Sequence, residues 1–376
     1  MSIYFPPRSS WGRLDPADAG FDAELLQEAL RFGAESEIPQ GRDLSVMIPK
    51  GQRHPFDRQL GPLQERGAAA GLIIRHGYEV ASFGDPARVD VTFSASKSYI
   101  SAVAGLAFDQ GLLTGLDEPV GKLIHDGGFD DDHNARITWR HLLQQTSEWE
   151  GELFGIPDWI DRGRQVATTA ELPVNEDKAT IGSSAAASVE VRSLLAPGDF
   201  WEYNDVRVNR AALSLLRLFQ RSLPEVLENQ LMSRIDASNT WEWHGYENSW
   251  VEVNGQSIQS VSGGAHWGGG VWINSYDHAR FGLLYLREGR WQDQQILSKG
   301  WITETLTPSD LNPDYGLLWW LNGQNSICAN ASAESFAARG AGGNIVFVEP
   351  ALDLVIVLRW SDNPSAVVER IISAIR

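Results

Sequence analysis

The sequence predicts an α/β chain of the α+β type: an antiparallel sheet flanked by helices, built from both ends of the chain, with an all-helical lobe inserted between them. Three observations predict it. A hairpin pattern stands early, at residues 71–84. Two more apolar runs, Ile345–Val348 and Leu352–Leu358, are joined by a short turn at Pro350 near the C-terminus. The long middle of the chain shows helical spacing and little strand pattern. Strands joined by short turns pair antiparallel. The expected division is a single unit, 1–376, with an α/β part at 1–97 and 207–376 and a helical lobe at 98–206.

Taken in order, residues 21–36 carry apolar positions at helical spacing (Phe21, Leu25, Leu26, Ala29, Leu30, Phe32). Residues 40–68 have no clear period and are read as irregular. Gly71 to Gly84 holds two apolar runs around a His76-Gly77 turn. The stretch from Ser94 to Gln110 is apolar on nearly every side, which predicts a buried helix that stops at Gly111. Helical pieces follow at Thr138–Thr146 and Val208–Phe219, with a Ser/Ala-rich loop at 179–190 between them. Ser275 is the expected cap of a helix carrying Ala279, Phe281, Leu283, Leu284 and Leu286, and Asp277 suits its positive first turn. Leu317–Leu321 is read as a strand, and Ser365–Ile375 as a closing helix.

Composition narrows the function. The net charge is −18 over 376 residues. A surface this acidic repels phosphate backbones and anionic headgroups, so no nucleic acid and no membrane is expected as a partner. Cys328 is the only cysteine, which excludes an internal disulfide and a cysteine-based zinc site. The first residues show no signal-peptide pattern and no apolar run is long enough to span a bilayer, so a cytoplasmic location is expected.

Three elements carry chemistry. Ser94-Ala95-Ser96-Lys97 fits S-x-x-K, and spacing i, i+3 on a helix puts hydroxyl and amine on one face. A serine hydroxyl is a poor nucleophile until a neighbouring base takes its proton, and a buried lysine can serve. Ser94 at the helix start also offers its N–H to a reacting carbonyl. The plainer reading is a serine that caps a helix. Tyr203 stands in the loop Ala196–Asp205 just before a helix, where a phenol can relay a proton; otherwise it is a buried tyrosine with one hydrogen bond. Phe336–Asn344 (FAARGAGGN) precedes an apolar strand, and its small residues admit a substrate close to the backbone; otherwise it is a glycine-rich turn.

In this order the three elements resemble the beta-lactamase-related serine hydrolases, a group that includes class C beta-lactamases, D-Ala-D-Ala peptidases, family VIII carboxylesterases and 6-aminohexanoate-dimer hydrolases. Ile137–Ser147 and the stretch Gly268–Phe281 are similar to two further landmarks of the group, and the likeness spans about residues 70–375. The resemblance implies a beta-lactamase/transpeptidase-like fold without a cofactor or metal. It implies Ser94 as the acylated nucleophile, Lys97 as its base partner and Tyr203 as the tyrosine of a Y-x-N element. The second oxyanion N–H would come from Ala341, after Gly340, beside that of Ser94.

Two positions depart from the pattern. Asp205 stands where Y-x-N has asparagine, and a carboxylate near Lys97 favours the charged amine, shifting proton transfer toward Tyr203. Ala338 stands where lactamases carry a cation, with Arg339 as its only available substitute. A small-molecule ester or simple amide is therefore the expected substrate, ahead of a lactam or a D-amino-acid peptide. A non-catalytic binding protein of the same fold is the rival from another class.

Lesser signals complete the reading. Glu148, beside Trp149 near the expected cleft rim, or Glu150 could pair with a substrate amine, against the plainer reading of a solvated acidic loop. Trp149, Trp201 and Trp267 are candidates to line an apolar pocket. His125, Asp126, Asp130, Asp131, Asp132 and His133 lack a metal-ligand spacing, and His266–Gly270 lacks the ending of a phosphate loop.

Overall fold

The computed structural model describes residues 3–8, 10–47, 60–163, 192–265 and 267–376. The expected Ser/Ala-rich loop at 179–190, part of the irregular stretch 40–68, and His266 lie outside the described residues.

Along the chain, α1 (Ala23–Glu35) is capped by Asp22, and α2 is one turn (Leu44–Met47). The early hairpin is β1 (Ala70–Arg75) and β2 (Tyr78–Phe83), turning at His76-Gly77 with both residues at positive φ. The short β3 (Asp90–Val91) leads through a 3-10 turn, Phe93–Ala95, into α3 (Ser96–Asp109). After α3 come α4 (Trp139–Leu143), capped by Thr138, and a small strand pair, β4 (Glu152–Leu153) with β5 (Ile156–Pro157). Then follow α5 (Asp205–Phe219) and α6 (Leu223–Gln230). The long hairpin β6 (Glu242–Val253) and β7 (Gln256–Val261) precedes β8 (Gly270–Ile273). Next are α7 (Ser275–Leu286), the two-residue strands β9 (Arg290–Trp291) and β10 (Gln294–Gln295), and α8 (Lys299–Thr305). The chain ends with β11 (Trp320–Leu321), β12 (Phe336–Gly340), β13 (Asn344–Glu349), β14 (Leu354–Arg359) and α9 (Pro364–Ser373).

The main sheet has six strands in the order β11-β12-β13-β14-β1-β2, every pair antiparallel. The two ends of the chain meet where β1 pairs with β14, Ile73 opposite Ile356. Strand alternation sorts the side chains into two faces. Gly71 and Phe83 face α1 and α9, so close to Gly33 that a Cβ there would meet Phe83. Val346 and Val355 face α7, which comes close at Gly282. With both faces covered, β14 is buried at every position, and its run LVIVLR is accordingly almost unbroken in apolar residues.

A second antiparallel sheet, β3-β8-β6-β7, stands beside the start of α3. The sequence did not suggest it. Nor did the structure keep two finer expectations. Asn274, not Ser275, caps α7, because its side chain reaches the Asp277 N–H. The strand expected at Leu317–Leu321 is ordered only as Trp320–Leu321, because Leu318 takes a positive φ. In the segment 98–206 the described residues form the rest of α3, α4, several 3-10 turns, the β4–β5 pair and the first two residues of α5.

Candidate active site

Ser94 is positioned by a turn squeezed from both sides. Thr92 N–H donates to the Val271 carbonyl at 2.9 Å, and the Val271 N–H donates to Ser96 Oγ at 2.8 Å, tying the start of α3 to β8. Between them Phe93 takes φ 48°, a left-handed value that costs a phenylalanine energy and is held by packing against Trp360. Two glycines allow the turn. A Cβ on Gly264 would lie 1.9 Å from the Phe93 carbonyl oxygen, and one on Gly340 would lie 2.0 Å from that of Thr92 and 3.1 Å from the Ser94 nitrogen. The end of β12 therefore runs directly along the backbone of Ser94. Ser94 is half-buried at the N-terminal end of α3, where the helix dipole favours developing negative charge.

Lys97 follows one turn later, 1 % exposed. Its Nζ lies 2.8 Å from Ser94 Oγ, 2.8 Å from Asp205 Oδ1 and 3.2 Å from the Gly263 carbonyl oxygen. Three acceptors suit the three N–H bonds of an ammonium group. The same nitrogen sits 4.9 Å from the ring centre of Tyr203. The pair Ser94 and Lys97 and the pair Tyr203 and Asp205, far apart in sequence, thus meet at one point.

Tyr203 arrives there because its two neighbours are pinned. The Glu202 N–H donates to the Gln145 carbonyl, and the Asn204 N–H donates to Gln145 Oε1 at 2.8 Å. Asn204 caps α5, its Oδ1 accepting from the Val206 and Arg207 N–H groups. The Asp205 N–H donates to Asp161 Oδ2 at 2.8 Å. Tyr203 belongs to an aromatic group with Trp201, Tyr315 and Trp320, stacking on Trp320 at 5.8 Å. The Arg339 guanidinium lies over the other ring of that stack, 5.2 Å from the centre of Trp320. Burial pushes its pKa down to about 10, against the pull of the Tyr203 phenol. Burial raises the Tyr315 phenol well above its usual range, with Tyr203 adding to the effect, so Tyr315 stays protonated and accepts from Gln145 Nε2 at 2.8 Å.

The third element is strand and turn. The Ala341 carbonyl accepts from Asn344 Nδ2, whose Oδ1 accepts from Arg359 Nε. The other nitrogens of Arg359 donate to the carbonyls of Ile273 and Val91, so one buried side chain binds the glycine-rich turn to both β8 and β3.

Other expected residues lie elsewhere. Glu148 is not at a rim: it is 0 % exposed and holds Arg192 and Arg207. Positive φ at Gln145 (59°) and Glu148 (49°) turns the chain inward, and the arginines draw the carboxylate with it. Trp149 is likewise buried, its Nε1 donating to the Gly128 carbonyl at 2.8 Å. Trp201 is half-buried in the aromatic group beside Tyr203, whereas Trp267 is buried against Tyr246. Of the acidic loop, Asp126 holds Arg210 and Asp131 caps the turn at His133 and Asn134, while the His133 ring meets the Glu148 carbonyl. No group of three or more potential metal-ligating side chains occurs among the described residues. No helix among them is long and apolar enough to cross a membrane.

Sequence reasoning missed Gly263 and Gly264, whose carbonyls face Lys97 and Ser94, and the aromatic partners Tyr315 and Trp320. The glycine pair after an apolar strand was a readable signal. The aromatics were not separable from ordinary core.

The beta-lactamase family model matches residues 56–374. This chain belongs to the beta-lactamase family. No curated protein matches it. Among solved structures, this beta-lactamase-family chain is similar to a beta-lactamase from Mycobacterium bovis, at 18 % identity, TM-score 0.53, with 81 % of this chain and 94 % of that one covered. It is also similar to a D-stereospecific amidohydrolase from Streptomyces sp., at 14 % identity, TM-score 0.56, covering 94 % and 98 %. EstCE1, a hydrolase with promiscuous acyltransferase activity, matches at 16 % identity, TM-score 0.56, over 94 % and 98 %. At these identities the likeness is one of fold, the serine beta-lactamase fold with its antiparallel sheet and helices.

Proposed function

We propose that the protein is a serine hydrolase that cleaves a carboxylic ester or simple amide of a small molecule through an acyl-enzyme on Ser94. The observation that carries this is the 2.8 Å contact between Lys97 Nζ and Ser94 Oγ, on a half-buried serine, with Tyr203 against the same lysine. A serine that only capped α3 would have no use for a buried lysine.

In the proposed reaction Ser94 Oγ attacks the carbonyl carbon, and its proton passes to the Tyr203–Lys97 pair. The N–H groups of Ser94 and Ala341 hold the oxyanion. The pair returns the proton to the departing alcohol or amine, and the C–O or C–N bond breaks. Water then attacks the acyl carbon, gives a proton to the pair and releases the acid, and Ser94 recovers its hydrogen. The Asp205 carboxylate beside Lys97 favours the charged amine and works against Lys97 as the free base, so in this reading the proton acceptor of the pair is the Tyr203 oxygen acting as a phenolate. Removing one oxyanion donor typically costs about 10²–10³ in kcat, and Gly340, next to Ala341, is what lets the end of β12 stand against the Ser94 backbone.

A lactam or D-amino-acid peptide is the second reading. Ala338 is 0 % exposed and carries no charge for a carboxylate, which favours the ester or amide. A binding protein of this fold would not need the Ser94–Lys97–Tyr203 convergence.

The test is turnover of p-nitrophenyl butyrate. Wild-type protein should give a first-turnover burst, label with a fluorophosphonate probe and gain the acyl mass on the peptide holding Ser94. Ser94→Ala should abolish all three while keeping its near-UV circular dichroism. Unchanged turnover in Ser94→Ala would refute the assignment, and nitrocefin hydrolysed faster than the ester would move the protein to the lactamase reading.

A further inference from the structure

We infer that Arg207 is a positioning residue that sets the place of Tyr203 through a buried carboxylate cage. The inference rests on the proton-transfer role proposed above for Tyr203. Arg207 occupies the first turn of α5, where the helix dipole disfavours a cation, and it is 2 % exposed. Neither the helix nor solvation explains an arginine there. Its contacts do.

Nη1 donates to Glu148 Oε1 at 2.8 Å and to Glu202 Oε2 at 3.0 Å, Nη2 donates to Asp158 Oδ2 at 3.1 Å, and Nε donates to the Trp149 carbonyl at 3.1 Å. These acceptors come from three separate stretches: the turn after α4, the turn after β5, and the loop before α5. Two further arginines close the cage. Arg192 pairs with Glu148 and Glu202, and Arg162 pairs with Asp158. Three buried carboxylates therefore alternate with three guanidinium groups.

The cage grips both flanks of Tyr203. Glu202 precedes it and is fixed by Arg207 and Arg192. Asn204 follows it, and its Nδ2 donates to the carbonyl of Asp158 at 2.9 Å, the residue whose side chain Arg207 also holds. The backbone that carries Tyr203 cannot shift without disturbing Glu202, which Arg207 holds, or the Asn204 bond to Asp158. Only the planar fork serves, because a lysine offers its donors from one point and cannot reach Glu148, Asp158 and the Trp149 carbonyl together.

The experiment is a double-mutant cycle in the full-length chain, with Arg207→Lys (charge kept, fork lost), Arg207→Met and Tyr203→Phe, read by p-nitrophenyl butyrate kinetics after near-UV circular dichroism and melting have checked the fold. Displacing a reacting group by about 1 Å can cost about 10²-fold in rate, so Arg207→Lys should lower kcat about 100-fold with KM within about threefold. Tyr203→Phe should cost about 10²-fold or more alone, yet only about threefold in the Arg207→Lys background, because the phenol there is already out of place. Losses that simply multiply would overturn the inference, as would a raised KM at unchanged kcat. Loss of the native fold in both Arg207 variants would also overturn it and assign Arg207 to the core. Full activity of Tyr203→Phe alone is a different outcome: it would bring down the role of Tyr203 itself.

Discussion

At the scale of single residues, the site depends on an atom that is missing. Gly340 has no Cβ, and one added there would fall 2.0 Å from the Thr92 oxygen and 3.0 Å from the Ala95 nitrogen. Both are backbone atoms, so neither can swing aside as a side chain would. Gly340→Ala must push β12 away from the start of α3, and the Ala341 N–H moves with it. Overpacking of this kind costs about 1–3 kcal/mol, and losing one oxyanion donor costs about 10²–10³ in kcat. Both losses should appear in one variant, measured by chemical denaturation and ester turnover. Gly323→Ala, whose Cβ would meet nothing within 4 Å, is the matched control and should change neither. The small residue in FAARGAGGN could be read in the sequence as room for a close approach, but what approached could not. The structure supplies it: the backbone of Thr92 to Ala95, which carries Ser94.

At the scale of elements, legibility followed periodicity. The helix expected at Val208–Phe219 is the body of α5, and the hairpin around His76-Gly77 is β1–β2, because each element's period in sequence agrees with the face it buries. The β6–β7 hairpin escaped notice even though Asn254-Gly255, both at positive φ, is a strong turn signal. Its register shifts between Gly245 and Trp250, which breaks the alternation that would have revealed the strand. Ser94 and Lys97 could be picked out by their S-x-x-K spacing, and Tyr203 by its place in a loop just before a helix, second in an ordered set of three elements. Glu148 could not be placed, since a charge in a turn looks solvated until its arginines are seen. Burial alone would raise the Glu148 carboxyl, but the Arg192 hydrogen bonds and the Arg207 charge outweigh it and hold the group below its ordinary range. Its stabilising share is therefore complete above the unfolded value of about 4.3 and is lost as the pH falls through the lower folded value. Glu148→Gln should destabilise the protein at pH 7 by about 3–5 kcal/mol, the cost of breaking a buried pair, and should flatten the acid limb of stability. Because the carboxylate faces inward, its KM change should be the same for amine-bearing and neutral esters. A selective rise for the amine would place Glu148 at the substrate after all.

At the scale of the molecule, the sheet and the helical part are joined by a polar contact inside an apolar interface. Tyr99 of α3 and His278 of α7 are both 0 % exposed, their Oη and Nδ1 are 2.7 Å apart, and the Tyr99 ring stacks on Phe281 at 3.9 Å. Burial, with the Arg359 charge adding to it, holds the His278 pKa well below its ordinary value, so the imidazole is neutral at pH 7. Burial raises the Tyr99 phenol well above its range, with Asp277 contributing, so Tyr99 keeps its proton and its Oη shares one hydrogen bond with Nδ1. The folded protein resists protonating this histidine and the unfolded chain does not. As the pH falls below the unfolded value of about 6.5, the unfolded state takes up a proton that the native state refuses, and stability drops by at most about 1.4 kcal/mol per pH unit. The loss continues until the lowered folded value is reached. His278→Gln keeps a hydrogen-bond partner for Tyr99 but has nothing to titrate. In urea melts between pH 5 and 8 it should start less stable at pH 8 and lose less on the way down than the wild type. Parallel curves would mean that the joint between the two halves does not feel protons, and that the acid sensitivity of the fold resides in its carboxylates.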